Sequence, residues 1–373
     1  MNTEGERQYF FLSKFYHWGG AVTFTAHLLN SLRKKRILYI RNTFENDKDN
    51  NDNDNGNFGY GIEYKIVNEK FLEETSNPFI VDFFRYNHIL DKLKRDDITI
   101  VIHDPTEISK ENESYLRYWK IICIRKTLQQ YLKKTYDVES KFLYHPFYPY
   151  SRTLATIENI SHNNNNSLCH KSKFYNIKEG YEKNMQEKEM EKEKLEAVSI
   201  SRVEYGKNIE IIMDANRLLR KEENNTNNHH DYTIKIHGPF NPQYVKYKLG
   251  GEKVFRQYYR GTFKKSFAAI SYILNKAKFV VDLSIIPNDG GGTQYTFLEA
   301  IHHNAALIIN RKWIEGVDSK YCNFKEGYNC YAVSNGKELA EIIKNKKNID
   351  TIKVISNAKK LLYRHINVDW SSV

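Results

Sequence analysis

Asp289-Gly290-Gly291-Gly292-Thr293-Gln294-Tyr295-Thr296-Phe297-Leu298-Glu299-Ala300 is the stretch on which the reading of this chain turns. The apolar run Phe279–Leu283 before it has the length of a buried strand, and the residues after the glycines open into a helix spanning Gln294–His302. In a strand, glycine turn and helix of this kind, backbone N–H groups and the positive helix end can approach a phosphate closely. Glu299, about one and a half turns into the helix, offers a carboxylate to ribose hydroxyls. A flexible loop ahead of an amphipathic helix fits the same residues.

Working outward, the second half of the chain alternates between the two periodicities. Strands are expected at Val198–Val203, Tyr232–His237, Phe279–Leu283, Ala306–Asn310 and Cys330–Val333. Helices are expected at about Asn208–Arg220, Phe263–Leu274 and Gln294–His302, and from Gly336 and Asp350 onward. The first half repeats the theme. Tyr9–Phe15 reads as a strand, Gly19-Gly20 as a turn, and Ala21–Leu32 as a helix, with further strands at Arg36–Ile40, Glu63–Val67, Ile98–His103, Lys120–Ile124 and Phe142–His145. Such alternation predicts two parallel sheets covered by helices. A chain of 373 residues supports two cores of roughly 150 residues each. The expected division is an N-terminal unit at 1–151, a low-complexity linker at 152–196, a second unit at 197–355, and a final helix at 356–373 that crosses back to the first. Asn46–Asn57, rich in Asn and Asp, reads as a disordered loop.

Composition narrows the class. Hydrophobic residues make up 40% and aromatics 14%, which is globular, and no apolar run approaches the ~20 residues of a membrane span. Met1–Arg7 carries two Glu and no apolar core, so no secretory signal is read and a reducing, cytoplasmic address is expected. Cys123, Cys169, Cys322 and Cys330 lack metal-ligand spacing and read as free thiols, with no metal site.

Two cationic features stand out. Arg202 and Lys207, five residues apart between a strand and a helix, suit a diphosphate, Arg as a planar fork and Lys as a point charge. Solvated strand-end cations give the same pattern. The chain carries a formal charge of +11, and Lys235–Lys278 holds ten Lys or Arg against one acid, Glu252, interleaved with Tyr244, Tyr247, Phe255, Tyr258 and Tyr259. That segment suits a nucleic acid or another polyanion, and equally a lysine-coated solvated face.

Taken in order, Gly19-Gly20, Ser201-Arg202-Val203 with Lys207, and Gly290–Ala300 resemble the glycine turn, the "GRL…KG" motif and the "EGFG…LEA" motif of GT-B glycosyltransferases, in particular glycosyltransferase family 4. The resemblance covers nearly the whole chain outside the Asn-rich loop and the linker. A looser similarity to the DNA α-glucosyltransferases of T-even phages rests on Ala21-Val22-Thr23, His103-Asp104 and Gln294–Glu299. The resemblance implies an α/β fold of two facing Rossmann-like domains with parallel sheets, and a retaining, metal-independent hexosyltransferase that uses a nucleotide-sugar co-substrate, UDP-glucose first, with no other cofactor. The acceptor is open between a glycan, a protein and DNA, and a nucleotide-sugar-binding protein without turnover is the third reading. By the resemblance, Arg202 and Lys207 hold the diphosphate, Gly292, Thr293, Gln294 and Tyr295 contact phosphates through their amides, Glu299 binds the ribose, His237 borders the base, and Gly20 admits the sugar and phosphate. His103 is the candidate for a sugar hydroxyl and Asp104 for the acceptor base, with a structural His and an Asx turn as the alternatives. The family pattern departs at two places: Gly291 stands where family 4 has its first Glu, with Asp289 as the nearby substitute, and Asn208 replaces the glycine after the lysine.

Overall fold

The structure is a computed structural model that describes residues 9–12, 20–32, 37–42, 57–58, 60, 62–67, 79–81, 98–110, 112–117, 119–152, 196–226, 232–263, 266–285, 293–315 and 322–370. In the first half, β1 (Tyr9–Leu12) leads to helix α1 (Gly20–Ser31), followed by β2 (Ile37–Asn42), β3 (Asn57–Phe58), β4 (Ile62–Val67), β5 (Phe79–Val81) and β6 (Ile98–Ile102). Then come β7 (Lys120–Cys123), α2 (Lys126–Tyr136) and β8 (Lys141–Phe142). The strands form one sheet in the order β3-β4-β2-β1-β5-β6-β7-β8. Every pair is parallel except β3 with β4.

The second half runs β9 (Glu196–Ile200), α3 (Ile209–Thr226), β10 (Ile234–His237), α4 (Pro242–Lys248), α5 (Glu252–Phe255), α6 (Phe267–Leu274) and β11 (Ala277–Asp282). It continues through α7 (Tyr295–His302), β12 (Ala306–Asn310), α8 (Lys312–Glu315), β13 (Tyr331–Val333), α9 (Gly336–Lys344) and α10 (Ile352–Ile366). Its sheet, ordered β10-β9-β11-β12-β13, is parallel throughout. β12 is buried at all five positions and β9 at its last four, as a sheet covered by helices on both faces requires. Ala197, Ile212, Phe279 and Leu339 pack on one face. Val198, Val280, Leu298 and Leu307 face the other, in a cluster that continues through Phe147 and Tyr295 to Val101 and Ile122 of the first sheet. An apolar core therefore joins the two sheets.

The two Rossmann-like parallel sheets are those expected, with three differences of detail. β5 escapes a periodicity reading because it is only Phe79–Val81, set between Pro78 and Asp82. Asn57, expected in a disordered loop, pairs with Glu63 in β3, while the rest of that loop lies outside the described residues. The last helix, expected from Asp350 onward, spans Ile352–Ile366, short of the 373 given for the crossing segment, after which the Trp370 indole N–H donates to the Tyr144 carbonyl at 3.0 Å and its ring meets Phe24 of α1. No helix among the described residues is long and apolar enough to cross a membrane.

Candidate donor crevice and the carboxylate beside it

In open parallel sheets ligands sit outside the carboxyl ends of the strands, where the strand order reverses. In the second sheet that point lies between β9 and β11. The loop after β9 is tied into the sheet on one side: Ser201 N–H donates to the His237 carbonyl at 3.2 Å and Val203 N–H to that of Pro239 at 2.8 Å. It is tied to the loop after β11 on the other, by Ile285 N–H to the Gly206 carbonyl at 3.0 Å and by the Asn208 side-chain amide to the Leu283 carbonyl at 2.7 Å.

The backbone explains two residue choices. Asn208 adopts φ +51°, a left-handed conformation that Asn tolerates better than most residues, so it can stand where the family pattern has glycine. Gly238 has φ +131°, and a Cβ there would lie 2.0 Å from the Ser201 carbonyl oxygen. Only glycine lets the β10 turn approach the β9 loop this closely.

On this frame Arg202 is exposed, its guanidinium 3.1 Å from Glu204 of the same loop, and Lys207 is half-buried. His237 ends β10, half-buried, and its pKa is pushed down to about 4 by burial and then by the charges of Arg260 and Lys235, with Glu196 opposing. Its imidazole is neutral at physiological pH. Thr293 and Gln294 precede α7, and Thr296 Oγ1 donates to the Ile200 carbonyl at 3.4 Å, fixing that helix to the end of β9. The loop of Arg202 and Lys207, the turn after His237 and the start of α7 are therefore tied to the carboxyl ends of β9 and β11. Asp289 and Gly292, with Gly290 and Gly291, lie outside the described residues.

Glu299 does not open onto solvent. It is 2% exposed, with Oε1 3.2 Å from His27 Nε2 and Oε2 accepting from the Tyr150 hydroxyl. Tyr148 N–H donates to His27 Nδ1 at 3.0 Å, so a neutral His27 carries its proton on Nε2 and donates to Glu299. The His27 ring lies between Phe147 (4.4 Å) and Tyr295 (4.9 Å, interplanar angle 4°). Tyr295 in turn donates to the Pro146 carbonyl at 3.0 Å. Burial and the nearby Glu299 charge raise the Tyr60 and Tyr150 phenols, which stay protonated. His302 Nε2 meets the Tyr150 carbonyl at 2.9 Å, and His365 Nδ1 meets that of His145, also at 2.9 Å. His302 and His145 are held well below the usual imidazole range, and His365 is pushed down to about 4, burial being the first cause for all three.

On the first sheet, Gly20 opens α1 with nothing within 4 Å of where a Cβ would stand. His103 follows β6 and packs edge-on to Phe24 at 4.8 Å. Asp104 caps the turn Pro105–Glu107, accepting from Thr106 N–H at 2.8 Å, which is the Asx-type arrangement. His27, Tyr60 and Tyr150 were not legible as site residues. α1 is buried without a break from Val22 to Asn30, so its polar positions follow no amphipathic stripe.

The fold recurs among solved glycosyltransferase structures. Anabaena HepE, solved with UDP and glucose, aligns over 96% of this chain and 95% of its own with a TM-score of 0.60 and 14% identity. An alpha-glucosyltransferase solved with UDP and a 13-mer DNA aligns over 96% of each chain, at a TM-score of 0.60 and 11% identity. Sucrose-phosphate synthase from Thermosynechococcus elongatus aligns over 98% of this chain and 96% of its own, at 0.56 and 12%. No family model and no curated protein matches the sequence. At such identities the likeness establishes the fold, the two facing Rossmann-like sheets of GT-B glycosyltransferases.

Proposed function

We propose that the chain is a glycosyltransferase that moves a sugar, glucose from UDP-glucose first among the candidates, to an acceptor hydroxyl. The observation that supports this reading is the β9/β11 switch point, where the loop carrying Arg202 and Lys207 is hydrogen-bonded to the loop after β11 and the end of β9 to α7. An exposed guanidinium whose ion-pair partner among the described residues is a carboxylate of its own loop is available to a diphosphate. The HepE and alpha-glucosyltransferase structures, each solved with UDP, support a uridine nucleotide as the donor's nucleotide.

In the proposed reaction the bond between the anomeric carbon and the diphosphate oxygen breaks as the acceptor oxygen bonds to that carbon. Arg202, Lys207 and the amides of Gly292, Thr293, Gln294 and Tyr295 stabilise the charge growing on the leaving diphosphate. This cationic set takes the part of a divalent ion, so the reaction is proposed to be metal-independent, and it retains the anomeric configuration as the family resemblance implies. Asp104 is the proposed acceptor of the hydroxyl proton, His103 and Asp289 the contacts to the transferred sugar, and Gly20 the point of close approach from the first sheet. We assign the acceptor side to 1–151 and the donor side to 197–355, joined by 152–196 and by the final helix. A cytoplasmic setting suits Cys123 and Cys330, which are free thiols.

DNA is the second acceptor class. It is favoured by the basic, aromatic surface of α4, where Lys246 lies over the 66%-exposed Tyr247. Against it, α4 belongs to the donor-side unit 197–355, and Lys235 and Arg256 are already paired with Glu196 and Glu252.

The test is a panel of UDP-, GDP- and ADP-sugars incubated with the protein, with and without a chelator, reading released nucleotide and the anomer of the sugar product. Chelator-resistant release from one donor, as the retained anomer, is the expected result. Donor binding without release would convert the reading to a nucleotide-sugar-binding protein, and the absence of both would overturn it.

A further inference from the structure

The segment after β8, 144–152, follows the last strand of the first sheet but is held by the second half of the chain. Tyr295 of α7 donates to the Pro146 carbonyl at 3.0 Å, His302 to that of Tyr150 at 2.9 Å, and the Asn275 side-chain amide to that of Arg152 at 2.6 Å. Phe147 N–H in turn donates to the His365 carbonyl of α10 at 3.1 Å. Backbone groups satisfied in this way make the segment part of the donor side.

Into that side α1 sends His27, which is fully buried. Its Nε2 meets Glu299 Oε1 at 3.2 Å, its Nδ1 accepts the Tyr148 N–H at 3.0 Å, and its ring lies between Phe147 at 4.4 Å and Tyr295 at 4.9 Å. Each of these partners belongs to α7 or to the segment that α7 holds. The imidazole is therefore a foothold of the first sheet on the donor side, fixed by a bond at either nitrogen and by a ring on either face.

α1 carries that constraint toward the proposed chemistry. It starts at Gly20, and one turn before His27 the Phe24 ring packs edge-on against His103 at 4.8 Å, with Asp104 next in the chain. The helix is buried without a break from Val22 to Asn30, so a shift at His27 is passed along it rather than absorbed. On the other side, Tyr295 opens α7 directly after Thr293 and Gln294, two of the residues assigned to the diphosphate.

We infer, on the transferase reading above, that His27 is a positioning residue. Through α7 on one side and Phe24 on the other, it sets the distance from the donor's diphosphate to His103 and Asp104. Altering His27 then slows transfer without weakening the donor, because Arg202, Lys207 and the start of α7 all stay within the second half.

The test measures UDP release from UDP-glucose, with water as acceptor, beside calorimetric titration of UDP, on the full chain at a temperature where melts show each variant folded. His27→Phe keeps a ring between Phe147 and Tyr295 but makes neither bond. It is expected to lower kcat about ten- to hundredfold, the cost of a misplacement on the order of 1 Å, with the UDP Kd within about twofold of wild type. His27→Gln, whose amide nitrogen can reach Glu299, is expected to recover part of that loss. Phe24→Leu breaks the same path at its other end, gives the same split at smaller size, and carries the test alone if the His27 variants do not fold. Leu132→Ala, fully buried on α2 against β7 and β8, weakens the first half elsewhere and is expected to leave kcat within about twofold of wild type.

Folded His27→Phe or Phe24→Leu that turns over like wild type, or that loses UDP affinity in step with kcat, overturns the inference and leaves the transferase reading standing. So does a His27→Gln no faster than His27→Phe, or a Leu132→Ala as slow as either, since weakening the first half anywhere would then suffice. A wild type that releases no UDP removes the transferase reading, and this inference with it.

Discussion

The crevice between β9 and β11 and the carboxylate one helix turn beyond it are built on opposite plans. At the crevice, close backbone approaches do most of the structural work, Gly238 against Ser201 and Gly206 against Ile285, with the Asn208 side chain adding one bond to the Leu283 carbonyl. The charged side chains there, Arg202 above all, stay at the surface. Around Glu299 the side chains themselves do the holding, buried and matched donor to acceptor across the two sheets. The difference teaches where function and stability overlap. Arg202 can change at little cost to the fold and would be open to the proposed ligand, whereas any change at Glu299 disturbs buried contacts between the two sheets.

The largest expected effect breaks the crevice through its backbone. Gly238→Ala places a Cβ 2.0 Å from a carbonyl oxygen, so either the β10 turn or the β9 loop has to move. Denaturant unfolding is expected to show a loss of more than about 3 kcal/mol, or no folded protein. Next comes Glu299→Ala, which strands the His27 Nε2–H and the Tyr150 hydroxyl in a dry interior, with an expected loss of about 2–3 kcal/mol in the same measurement.

Acid sharpens the contrast by increments, each buried imidazole adding its own. His302, His145 and His365 are buried with pKa values depressed relative to the unfolded chain, so below about pH 6.5 the unfolded state binds more protons than the native one. Stability therefore falls on acidification from about pH 6.5 toward pH 4, with a slope approaching about 1.4 kcal/mol per pH unit for each such imidazole. A chemical-denaturation series across that range checks the sign, and stability that is flat or rising on acidification would refute it. The smallest effect is that of Arg202→Ala, expected to leave stability within about 0.5 kcal/mol because the ion pair it makes with Glu204 is exposed and local. A larger loss would show that the crevice cations also hold the fold.

The crevice was legible in the sequence because its parts are local. A cation pair between a strand and a helix leaves a signature within a dozen residues, and Arg202 and Lys207 lie between β9 and α3, with His237 at the end of β10, the local positions that strand-to-helix reading gives them; their role toward a donor is part of the proposal. The surroundings of Glu299 were not legible, because its partners lie 272 and 149 residues away along the chain. Nothing in the period of α1 marks His27 as facing another sheet rather than its own core. Asp104 was legible only as a choice between base and turn residue, and its cap to Thr106 gives the turn a physical basis without removing the lone pairs a base would use. β5 was lost because three residues cannot display a period.

The most direct test of the central claim is calorimetric titration of UDP-glucose into the intact protein and into the Arg202→Ala/Lys207→Ala double variant. The account predicts saturable one-to-one binding to the wild type, weakened at least about tenfold in a variant that melts at the same temperature, since two charge-assisted contacts to the diphosphate are lost. Binding that the double variant retains in full would contradict the placement of the donor at the β9/β11 crevice.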